Sequence, residues 1–380
     1  MAQNRNLFRL TRFVIFKVSQ LFRFLGKFRK PAKRILIIKT DAIGDYILFR
    51  NFIEVVSRSE KFKDHEVDLF GNTLWQDLAL KFDSPFVNRF FFTNPEALYY
   101  APLKTFKLGW QLYTRNYEAV LQPTYSRTLI NDGIAGLAAA KQVIGFESDT
   151  ERIYPKYKIK TDKFYTEKLS LPQSVFFEFD RSRFFFETVL KKVVDLYGPY
   201  LPVNEKKNSG VVIFPGAGVV KRSWEREKFV ELIRLIKANS SEQIILAGGP
   251  AEAAIGDYLM ESFPAANLSN QINQTSLTEL VELIANAKII VSNETSAIHI
   301  AAATQTKAIC ILGGGHFGRF APYPAYIENA PVCVYHPMEC FNCNWICIFE
   351  TPATAPYPCI GNVSLAAVWT EVQKHLQSIE

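Results

Sequence analysis

The chain has 380 residues, of which 48% are hydrophobic and 21% are charged. This composition is typical of a globular protein long enough for two domains, and it excludes a disordered, fibrous or small disulfide-bonded protein. The net charge of +7 comes from residues 1–34, which hold ten of the 44 basic residues and no acidic one. Because the remaining body is slightly acidic, we expect no binding to nucleic acid.

Residues 1–33 predict a basic amphipathic helix. Leucine and valine recur every three or four positions, with phenylalanine and arginine between them, as in helices that lie on a membrane surface. A membrane-spanning helix requires about 20 mostly uncharged residues, and basic residues interrupt this segment. A secretion signal requires an uninterrupted apolar core, which is missing. We therefore expect a cytoplasmic protein, peripheral at the inner face of the plasma membrane, with residues 1–34 against anionic lipid. The alternative is a helix that packs on the body or on a partner.

Residues 34–203 predict a first α/β domain. Short apolar strands alternate with segments of helix length, which indicates a parallel sheet covered on both faces. One helix is predicted from about Phe184 to Leu196. The strands are expected at residues 34–39, 66–70, 89–92, 118–122 and 142–146, and the first helix at residues 46–58.

Residues 204–362 predict a second domain of the same kind, after a polar linker at residues 204–209. Ser276 and Glu279 fit a capping box, in which each side chain accepts a hydrogen bond from the other's backbone. A final helix from about Ser364 to Leu376 lies within residues 363–380. The strands of this domain are expected at residues 211–214, 243–247, 288–291 and 308–312.

Four turns at strand ends carry the residues that suit a ligand. In doubly wound sheets, ligands bind beyond the carboxyl ends of the strands. Glycines allow the backbone to approach a ligand, cations neutralise phosphate, and a carboxylate such as Glu252 accepts hydrogen bonds from ribose. The turns contain Asp41, Gly44 and Asp45; Gly216, Gly218, Lys221 and Arg222; Gly248, Gly249 and Glu252; and Glu294, Thr295 and Ser296.

The stretch from Val291 to Ala303 reads as strand, polar turn and helix. A helix that begins so abruptly leaves N–H groups unpaired, and those groups bind anions such as phosphate. The alternative is that Thr295 or Ser296 only caps the helix. With the glycine turns, this stretch favours a phosphate-bearing nucleotide in the second domain.

Four motifs, in order, resemble glycosyltransferase family 9, which contains the ADP-heptose:lipopolysaccharide heptosyltransferases. The resemblance covers roughly residues 34–375. It implies two facing Rossmann-like domains, known as the GT-B architecture, with acceptor bound by the first and nucleotide-sugar by the second. It also implies inverting transfer without a required metal, and a C-terminal helix at residues 363–380 that returns to the first domain. The motifs lie at residues 35–45, 214–224, 246–252 and 292–303.

The resemblance also implies the roles of individual residues. Asp45 matches the general base, which takes a proton from the acceptor hydroxyl; the alternative is that it only complements the helix dipole. The acceptor-binding residues would be Thr40, Asp41 and Gly44. The residues that bind the nucleotide-sugar would be Gly216, Gly218, Lys221, Arg222, Glu252, Glu294, Thr295, Ser296 and Ala297.

The chain departs from the family pattern at two places. Arg222-Ser-Trp224 stands where the family usually has Lys before a residue and Trp, with Lys221 one position earlier, so either cation can serve the phosphates. Glu294-Thr295-Ser296 stands where Asp-Ser/Thr-Gly is usual, and the longer acid and missing glycine reshape the expected sugar pocket. For His299 we favour a structural role on its helix over acid–base catalysis.

Four of the six cysteines cluster near the C-terminus, and their spacing is compatible with a structural zinc or iron site. Simple buried thiols are the alternative. The resemblance adds that relatives that glycosylate autotransporter proteins carry a cysteine-bound iron near this region. The candidate metal ligands are Cys340, Cys343, Cys347 and Cys359; Cys310 and Cys333 are expected in or next to core strands.

The sequence thus predicts a glycosyltransferase that moves a sugar, heptose by resemblance, from an ADP-sugar to a lipopolysaccharide core or related glycan. One alternative changes the acceptor to a protein hydroxyl group. Another is a non-catalytic protein that binds nucleotide-sugar and scaffolds glycan assembly. Dehydrogenase chemistry is disfavoured because no GxGxxG follows the first strand.

Overall fold

The computed structural model describes residues 4–203, 207–263 and 267–376. The chain divides into two compact units. The first unit comprises residues 1–175 and 179–196, and the second comprises residues 176–178 and 197–380. By this division the second unit resumes at Tyr197, whereas the sequence predicts a boundary at residue 203. Leu201 donates a backbone hydrogen bond to Ala303 within the second unit. Part of the predicted linker, residues 204–206, lies outside the described residues.

The first unit is built on a parallel sheet of six strands in the order β3-β2-β1-β4-β5-β6. Leu36 and Ile38 of its first strand face one side and Ile35 and Ile37 face the other, and all four are fully buried. A strand buried on both faces requires an unbroken apolar run, which is what the sequence has here. The strands are β1 (Ala32–Ile38), β2 (Glu66–Asn72), β3 (Arg89–Thr93), β4 (Tyr117–Gln122), β5 (Gln142–Phe146) and β6 (Glu167–Leu169).

The helices of the first unit include two that differ from the predicted bounds. The helix after β1 begins at Ile43, three residues earlier than expected, and continues as a second helix after Arg50. The predicted helix at residues 184–196 instead spans Glu178–Leu190 and stops before Lys191, whose φ of 53° is left-handed. The helices are α1 (Arg5–Phe13), α2 (Ser19–Gly26), α3 (Ile43–Phe49), α4 (Asn51–Ser57), α5 (Gln76–Phe82), α6 (Pro95–Leu98), α7 (Pro102–Arg115), α8 (Leu129–Ala138), α9 (Pro155–Thr161) and α10 (Glu178–Leu190).

The basic N-terminal segment is helical and packs on its own unit. A π-helical turn (Val14–Val18) joins α1 to α2, and the continuous helix contacts α7 and α8. Ile15 is buried against α8 so closely that a Cβ atom on Gly133 would lie 2.7 Å from its Cγ1. The other face remains exposed, including 77% of Phe28 just beyond α2. Packing on the body, the alternative considered for this segment, is therefore realised on one face only.

The second unit repeats the architecture, with a parallel sheet in the order β12-β11-β10-β7-β8-β9. Ile309 and Ile311 of β11 face one apolar cluster, and Cys310 and Leu312 face the other. The strands are β7 (Val211–Phe214), β8 (Ile244–Leu246), β9 (Leu268–Asn270), β10 (Ile289–Asn293), β11 (Lys307–Leu312) and β12 (Val332–Tyr335). The helices are α11 (Arg226–Asn239), α12 (Ala253–Glu261), α13 (Leu277–Asn286), α14 (Ser296–Ala303), α15 (Pro358–Gly361) and α16 (Leu365–Leu376).

Two further predictions concern the ends of helices in the second unit. The capping box is confirmed, because Ser276 N–H donates to Glu279 Oε2 at 2.7 Å and Glu279 N–H donates to Ser276 Oγ at 3.3 Å. The C-terminal helix forms as α16, but its buried Val368 and Val372 belong to the core of the second unit. The described packing thus groups α16 with the second unit.

Each sheet has the strand order of a doubly wound Rossmann fold, so the predicted α/β class is confirmed. The order reverses between β1 and β4 in the first unit, and between β7 and β10 in the second. Loops that leave such a pair of strands diverge to opposite faces, and the crevice between them is where ligands bind in this fold. Each crevice is therefore a candidate ligand site of its own unit.

Candidate active site

The crevice of the first unit is lined by a buried, charge-compensated acid. Asp41 follows β1 and accepts a hydrogen bond from Thr124 Oγ1 at 2.7 Å, across the switch point. Lys39 Nζ lies 3.1 Å from Asp41 Oδ2, and Arg152 lies 3.6 Å from Oδ1. Burial raises the pKa of Asp41, but Lys39, Thr124 and Arg152 outweigh it, so the pKa lies below its ordinary value. Asp41 is therefore an ionised group that holds the crevice together.

Side chains from neighbouring elements fix the loop that contains Thr40 and Asp41. Thr40 Oγ1 donates to Asn131 Oδ1 at 2.6 Å. Asn72 Nδ2 donates to the Thr40 carbonyl at 2.9 Å, and Trp75 Nε1 donates to the Asp41 carbonyl at 3.0 Å. These bonds define the direction in which the chain enters α3.

Asp45, the predicted general base, lies in the first turn of α3 and is partly exposed. The next residue, Tyr46, is fully buried and stacks on Trp75 with 4.3 Å between ring centroids. Tyr46 also donates a hydrogen bond to Asp83, which pairs with Arg50 at 2.6 Å. The buried neighbour thus anchors the turn that contains Gly44 and Asp45.

In the second unit, Glu252 joins the two glycine turns. Gly218 N–H donates to its Oε1 at 3.1 Å, and Gly249 N–H donates to its Oε2 at 2.8 Å. Gly216 is required beside it, because a Cβ there would lie 2.0 Å from Glu252 Cγ, and Gly218 has a left-handed φ of 73°. Glu252 was predicted to contact ribose, which stays a prediction; its observed contacts bridge the turns.

A cavity of about 600 Å³ opens beside these turns. Gly216, Gly218 and Glu252 line it on one side, and Trp224 and Arg226 line it near the start of α11. The volume is within the range of small-molecule sites. The cavity therefore has room for a nucleotide portion in contact with the predicted glycines.

Asn293 connects the two loops that leave the switch point of the second sheet. Its Nδ2 donates to the carbonyls of Pro215 and Gly216, at 2.7 and 3.2 Å, and its Oδ1 accepts from Trp224 N–H at 2.8 Å. The side chain is fully buried. Because Asn293 immediately precedes Glu294, it fixes the first glycine turn relative to the start of α14.

Lys221 and Arg222 have different surroundings. Lys221 Nζ donates to both the carbonyl and the hydroxyl of Thr351, each at 2.8 Å. The Arg222 guanidinium lies 4.4 Å from the centroid of the Trp345 ring. Burial lowers the pKa of Arg222, opposed by the nearby Glu294 carboxyl. Arg222 is thus the cation electrostatically coupled to the α14 start, whereas Lys221 is bound to a loop.

Glu294 is the most perturbed acid at this crevice. The residue as a whole is partly accessible, but its Oε2 is buried and has no hydrogen-bond partner within the described ranges. Burial raises the pKa of Glu294 to about 8, against the opposing effect of Arg222. At neutral pH the carboxyl group is therefore largely protonated and can donate a hydrogen bond.

The start of α14 has the predicted form. Thr295 caps the helix, because its Oγ1 accepts from Ala297 N–H at 3.2 Å, and Ser292 Oγ lies 3.1 Å from the same hydroxyl. Ser296 is partly exposed and Ala297 is buried. The capping alternative is thus realised for Thr295, and the dipole of the eight-residue helix still favours an anion at its start.

His299 is buried within α14. Its Nδ1 lies 2.7 Å from Tyr323 Oη, and the two rings stack. Burial lowers the pKa of His299 to about 4. A neutral, paired histidine inside the fold supports the structural role over acid–base catalysis.

The four clustered cysteines line one small cavity of the second unit, together with Trp345 and Tyr357. Burial raises the pKa of the Cys359 thiol. Across the part of the chain that the structure describes, no three His, Cys, Asp or Glu side chains are placed to hold one metal ion. The predicted zinc or iron at Cys340, Cys343, Cys347 and Cys359 is therefore not supported by this geometry. Cys310 and Cys333 lie in β11 and β12, as expected.

The sequence of this chain matches the model of glycosyltransferase family 9 (heptosyltransferase) over residues 104–344, which is more than half of its length. The chain belongs to glycosyltransferase family 9. The matched region includes the glycine turns, Glu252 and the start of α14.

Curated sequences and solved structures also resemble this family 9 chain. It is 25% identical to lipooligosaccharide heptosyltransferase 2 of Campylobacter jejuni over 180 residues, 46% of this chain and 54% of that protein. The alignment thus spans about half the length of the curated relative. The fold resembles E. coli ADP-heptose lps heptosyltransferase II, with a TM-score of 0.67 and 15% identity over 90% of this chain and 98% of that one. The fold also resembles E. coli heptosyltransferase WaaC with ADP-2-deoxy-2-fluoro heptose, with a TM-score of 0.63 and 18% identity over 90% of this chain and 99% of that one.

Sequence patterns missed the residues that hold the site of this family 9 chain together. The sequence places Lys39 at the end of a strand, Trp224 in a motif and Asn293 in a turn. It predicts no hydrogen-bond or ion-pair partner for any of these three side chains. All three side chains are almost fully buried. Lys39 pairs with Asp41 just after β1, and the Trp224 N–H donates to the Asn293 side chain, which is distant in sequence. A polar residue at the end of a buried apolar strand is the signal that would have identified Lys39 and Asn293.

We predict that Asn293→Asp destabilises the second unit by about 1–3 kcal/mol, because it removes two donated hydrogen bonds and turns a carboxylate toward two carbonyls. Urea denaturation monitored by tryptophan fluorescence measures this change. Asn362→Asp is the matched control, since Asn362 is exposed in the same unit. Equal unfolding midpoints for the two variants would contradict the assigned role of Asn293.

We also predict a pH-dependent stability contribution from Glu294. Its pKa rises from 4.5 to about 8 on folding, so the folded state retains a proton that the unfolded state releases. Stability then falls as pH rises from about 5 to about 8 and levels off above that. Relative to wild type, Glu294→Gln should gain on the order of a few kcal/mol through this window.

The measurement is urea denaturation of both proteins between pH 5 and pH 9, with the exposed Glu261→Gln as control. Parallel curves for wild type and Glu294→Gln would show that Glu294 titrates as an ordinary carboxyl group.

Proposed function

We propose that the protein is an inverting glycosyltransferase that moves heptose from an ADP-sugar to a lipopolysaccharide core or related glycan. The observation that carries this proposal is the junction of β7 and β10, where Asn293 ties a glycine turn to the start of α14. At that junction, the turn after β7, which lines a cavity of about 600 Å³, is bonded to the residue that precedes Glu294 and the start of α14, in a family 9 chain. The relatives named above are heptosyltransferases, which supports heptose as the sugar.

In the proposed reaction, the nucleotide-sugar binds the second unit. The adenosine portion enters the cavity beside Gly216, Gly218 and Glu252, and the diphosphate lies at the start of α14. As the bond between the anomeric carbon and the diphosphate breaks, ADP leaves with the electron pair. The Ser296 N–H, the dipole of α14 and the Arg222 guanidinium stabilise the charge that develops on it.

The acceptor is proposed to bind the first unit at Thr40, Asp41 and Gly44. Its hydroxyl oxygen attacks the anomeric carbon from the face opposite the diphosphate, which inverts the configuration. Asp45 accepts the hydroxyl proton as the new bond forms. Asp41 is unsuited to that step, because Lys39 and Thr124 already stabilise its ionised form.

The protein is further proposed to act at the cytoplasmic face of the plasma membrane, bound to anionic lipid through residues 4–34. Leu10, Phe13, Leu21 and Phe24 are exposed on the packed N-terminal helix, Phe28 is exposed just beyond it, and the segment contains no acid. Within the described residues, no helix combines the length and apolarity that crossing a membrane requires. Exposed apolar and basic groups on one helix fit an interfacial position.

The donor and the activity are tested together with a panel of ADP-, GDP- and UDP-sugars, with turnover and slow donor hydrolysis as readouts. Preference for ADP-heptose and transfer to a truncated lipopolysaccharide core support the proposal. Transfer only to a protein hydroxyl would replace the acceptor. ADP binding without turnover would identify a scaffold, and no nucleotide binding would overturn the function.

We predict that Asp45→Asn lowers kcat by about 10²–10⁴-fold, because the amide cannot accept the hydroxyl proton. Binding of ADP should be unchanged, since Asp45 belongs to the other unit. Steady-state transfer and calorimetric ADP titration measure the two effects. Asp77→Asn is the matched control, as an exposed acid in the first turn of α5. Equal activity losses in both variants would mean that Asp45 only complements a helix dipole.

We predict that Arg222→Met weakens ADP-sugar binding about 10- to 100-fold, the effect expected for losing a charged hydrogen-bond donor. Lys221→Met should cause a smaller loss, because Lys221 Nζ is bonded to Thr351. Competition binding is compared for ADP and AMP, which lacks the β-phosphate. If Arg222 contacts the β-phosphate, Arg222→Met weakens the binding of ADP more than that of AMP. A larger effect for Lys221→Met would reverse the assignment.

A further inference from the structure

A groove of about 650 Å³ lies at the amino-terminal edge of the first sheet. It is bordered by the end of α2 and by residues that immediately precede β1, β4 and β5. Four cations line it, Arg23, Lys27, Arg29 and Lys141, and no acidic residue does. Strand β1 has seven residues and a length of about 20 Å, so the groove is far from the crevice at the carboxyl edge.

The two arginines of the groove are held in place by backbone carbonyls and not by carboxylates. Arg23 donates to the Lys163 carbonyl at 2.6 Å, and Arg29 donates to the Tyr113 carbonyl at 2.7 Å. The Arg29 guanidinium also lies 4.3 Å from the centroid of the Tyr113 ring. In the described parts of the chain, the side chains of Lys27 and Lys141 make no hydrogen bond or ion pair.

This arrangement concentrates positive charge where it is partly shielded from water. Burial lowers the pKa of Arg23, and no carboxylate opposes the effect. Two arginines fixed through carbonyls retain further N–H donors, which suit the oxygens of a phosphate group. An anion in the groove would therefore gain from existing charge without displacing an internal partner.

The rim of the groove is apolar. Phe24 lines it, and 57% of Phe24 and 77% of Phe28 are exposed. The two rings meet edge to face, with centroids 5.5 Å apart. Leu21 and Leu25 are exposed on the same helix, by 53% and 42%. A soluble phosphate would leave these side chains in water, whereas the acyl region of a lipid would cover them.

We propose that the groove binds the phosphate headgroup of an anionic phospholipid, with Phe24 and Phe28 inserted beside the acyl chains. The inference rests on the proposed membrane association and assigns it a specific headgroup site. It places the lipid at the edge of the sheet opposite the candidate active site. Lipid binding and sugar transfer therefore use separate residues of the first unit.

The first experiment is calorimetric titration of the whole protein with dihexanoyl phosphatidylglycerol below its micelle concentration. Wild type should bind this lipid, and the double variant Lys27→Gln/Lys141→Gln should bind it at least ten-fold more weakly. These lysines are exposed and make no internal bond, so unfolding midpoints should remain equal. An unaffected double variant, or no binding by wild type, would overturn the groove assignment. Equal affinity for inorganic phosphate would identify a free-phosphate site instead and would also overturn it.

A second experiment separates the groove from general membrane attraction. Flotation with phosphatidylglycerol vesicles is compared for Lys27→Gln/Lys141→Gln and for Arg5→Gln/Arg9→Gln, which removes two exposed charges of α1 outside the groove. The groove variant should lose more binding, and Phe28→Ser should weaken vesicle binding without changing the unfolding midpoint. Equal loss in both double variants would overturn the groove while leaving membrane association in place. Failure of wild type to float would overturn both.

Discussion

The carboxamide of Asn293 is the contact on which the candidate donor site depends. Parallel strands on either side of a switch point send their loops to opposite faces of the sheet, so no regular backbone ladder joins those loops. Asn293 supplies the missing connection, since it donates to the turn after β7 and accepts from Trp224 before α11. Glu252 extends the same connection to the turn after β8. Side-chain hydrogen bonds thereby join three loops, and two of these loops, after β7 and β8, line the cavity.

In the first unit, a buried ion pair takes part in joining the two loops at the switch point. Asp41 connects the loops after β1 and β4 through Thr124, and fully buried Lys39 compensates its charge. A buried carboxylate without a partner would be costly, and its pairing leaves a rigid ionised group. Asp41 is thus buried and held by its partners, whereas Asp45, in the first turn of α3, is partly exposed.

The sequence predicts those strands that are unbroken apolar runs and those helix ends that carry a recognisable capping pattern. The central strands β1, β4, β7 and β10 fall into this group, as do the capping box at Ser276 and the start of α14. Edge strands β6, β9 and β12 were not predicted, because three or four residues with one solvated side carry almost no periodic signal. The site motifs were located by resemblance, but the hydrogen bonds of Asn293 to Trp224 and Pro215 are long-range contacts that no local pattern encodes. The pair of Lys39 and Asp41 is local in sequence, but its burial depends on the tertiary fold.

The N-terminal segment and the cysteines show a different limit. The periodicity of the N-terminal segment predicts an amphipathic helix but does not say which face is buried. Ile15 packs where Gly133 has no side chain, and this tertiary contact selects the buried face. For the cysteines, spacing indicated proximity, and all four do line one cavity. Metal binding additionally requires the sulfur atoms to converge, and sequence spacing does not determine that geometry.

The protonation of Glu294 explains how an acid is tolerated where a diphosphate is proposed to bind. An ionised carboxylate at the start of α14 would repel the phosphates and neutralise Arg222. With a pKa of about 8, the Glu294 carboxyl group is mainly neutral at pH 7. The positive charge of Arg222 is then not compensated by Glu294 and is available to the proposed diphosphate. An approaching anion raises the pKa further, because like charges favour the neutral form. Glu294 then acts as a hydrogen-bond donor, and binding of the diphosphate reinforces the protonation state that permits it.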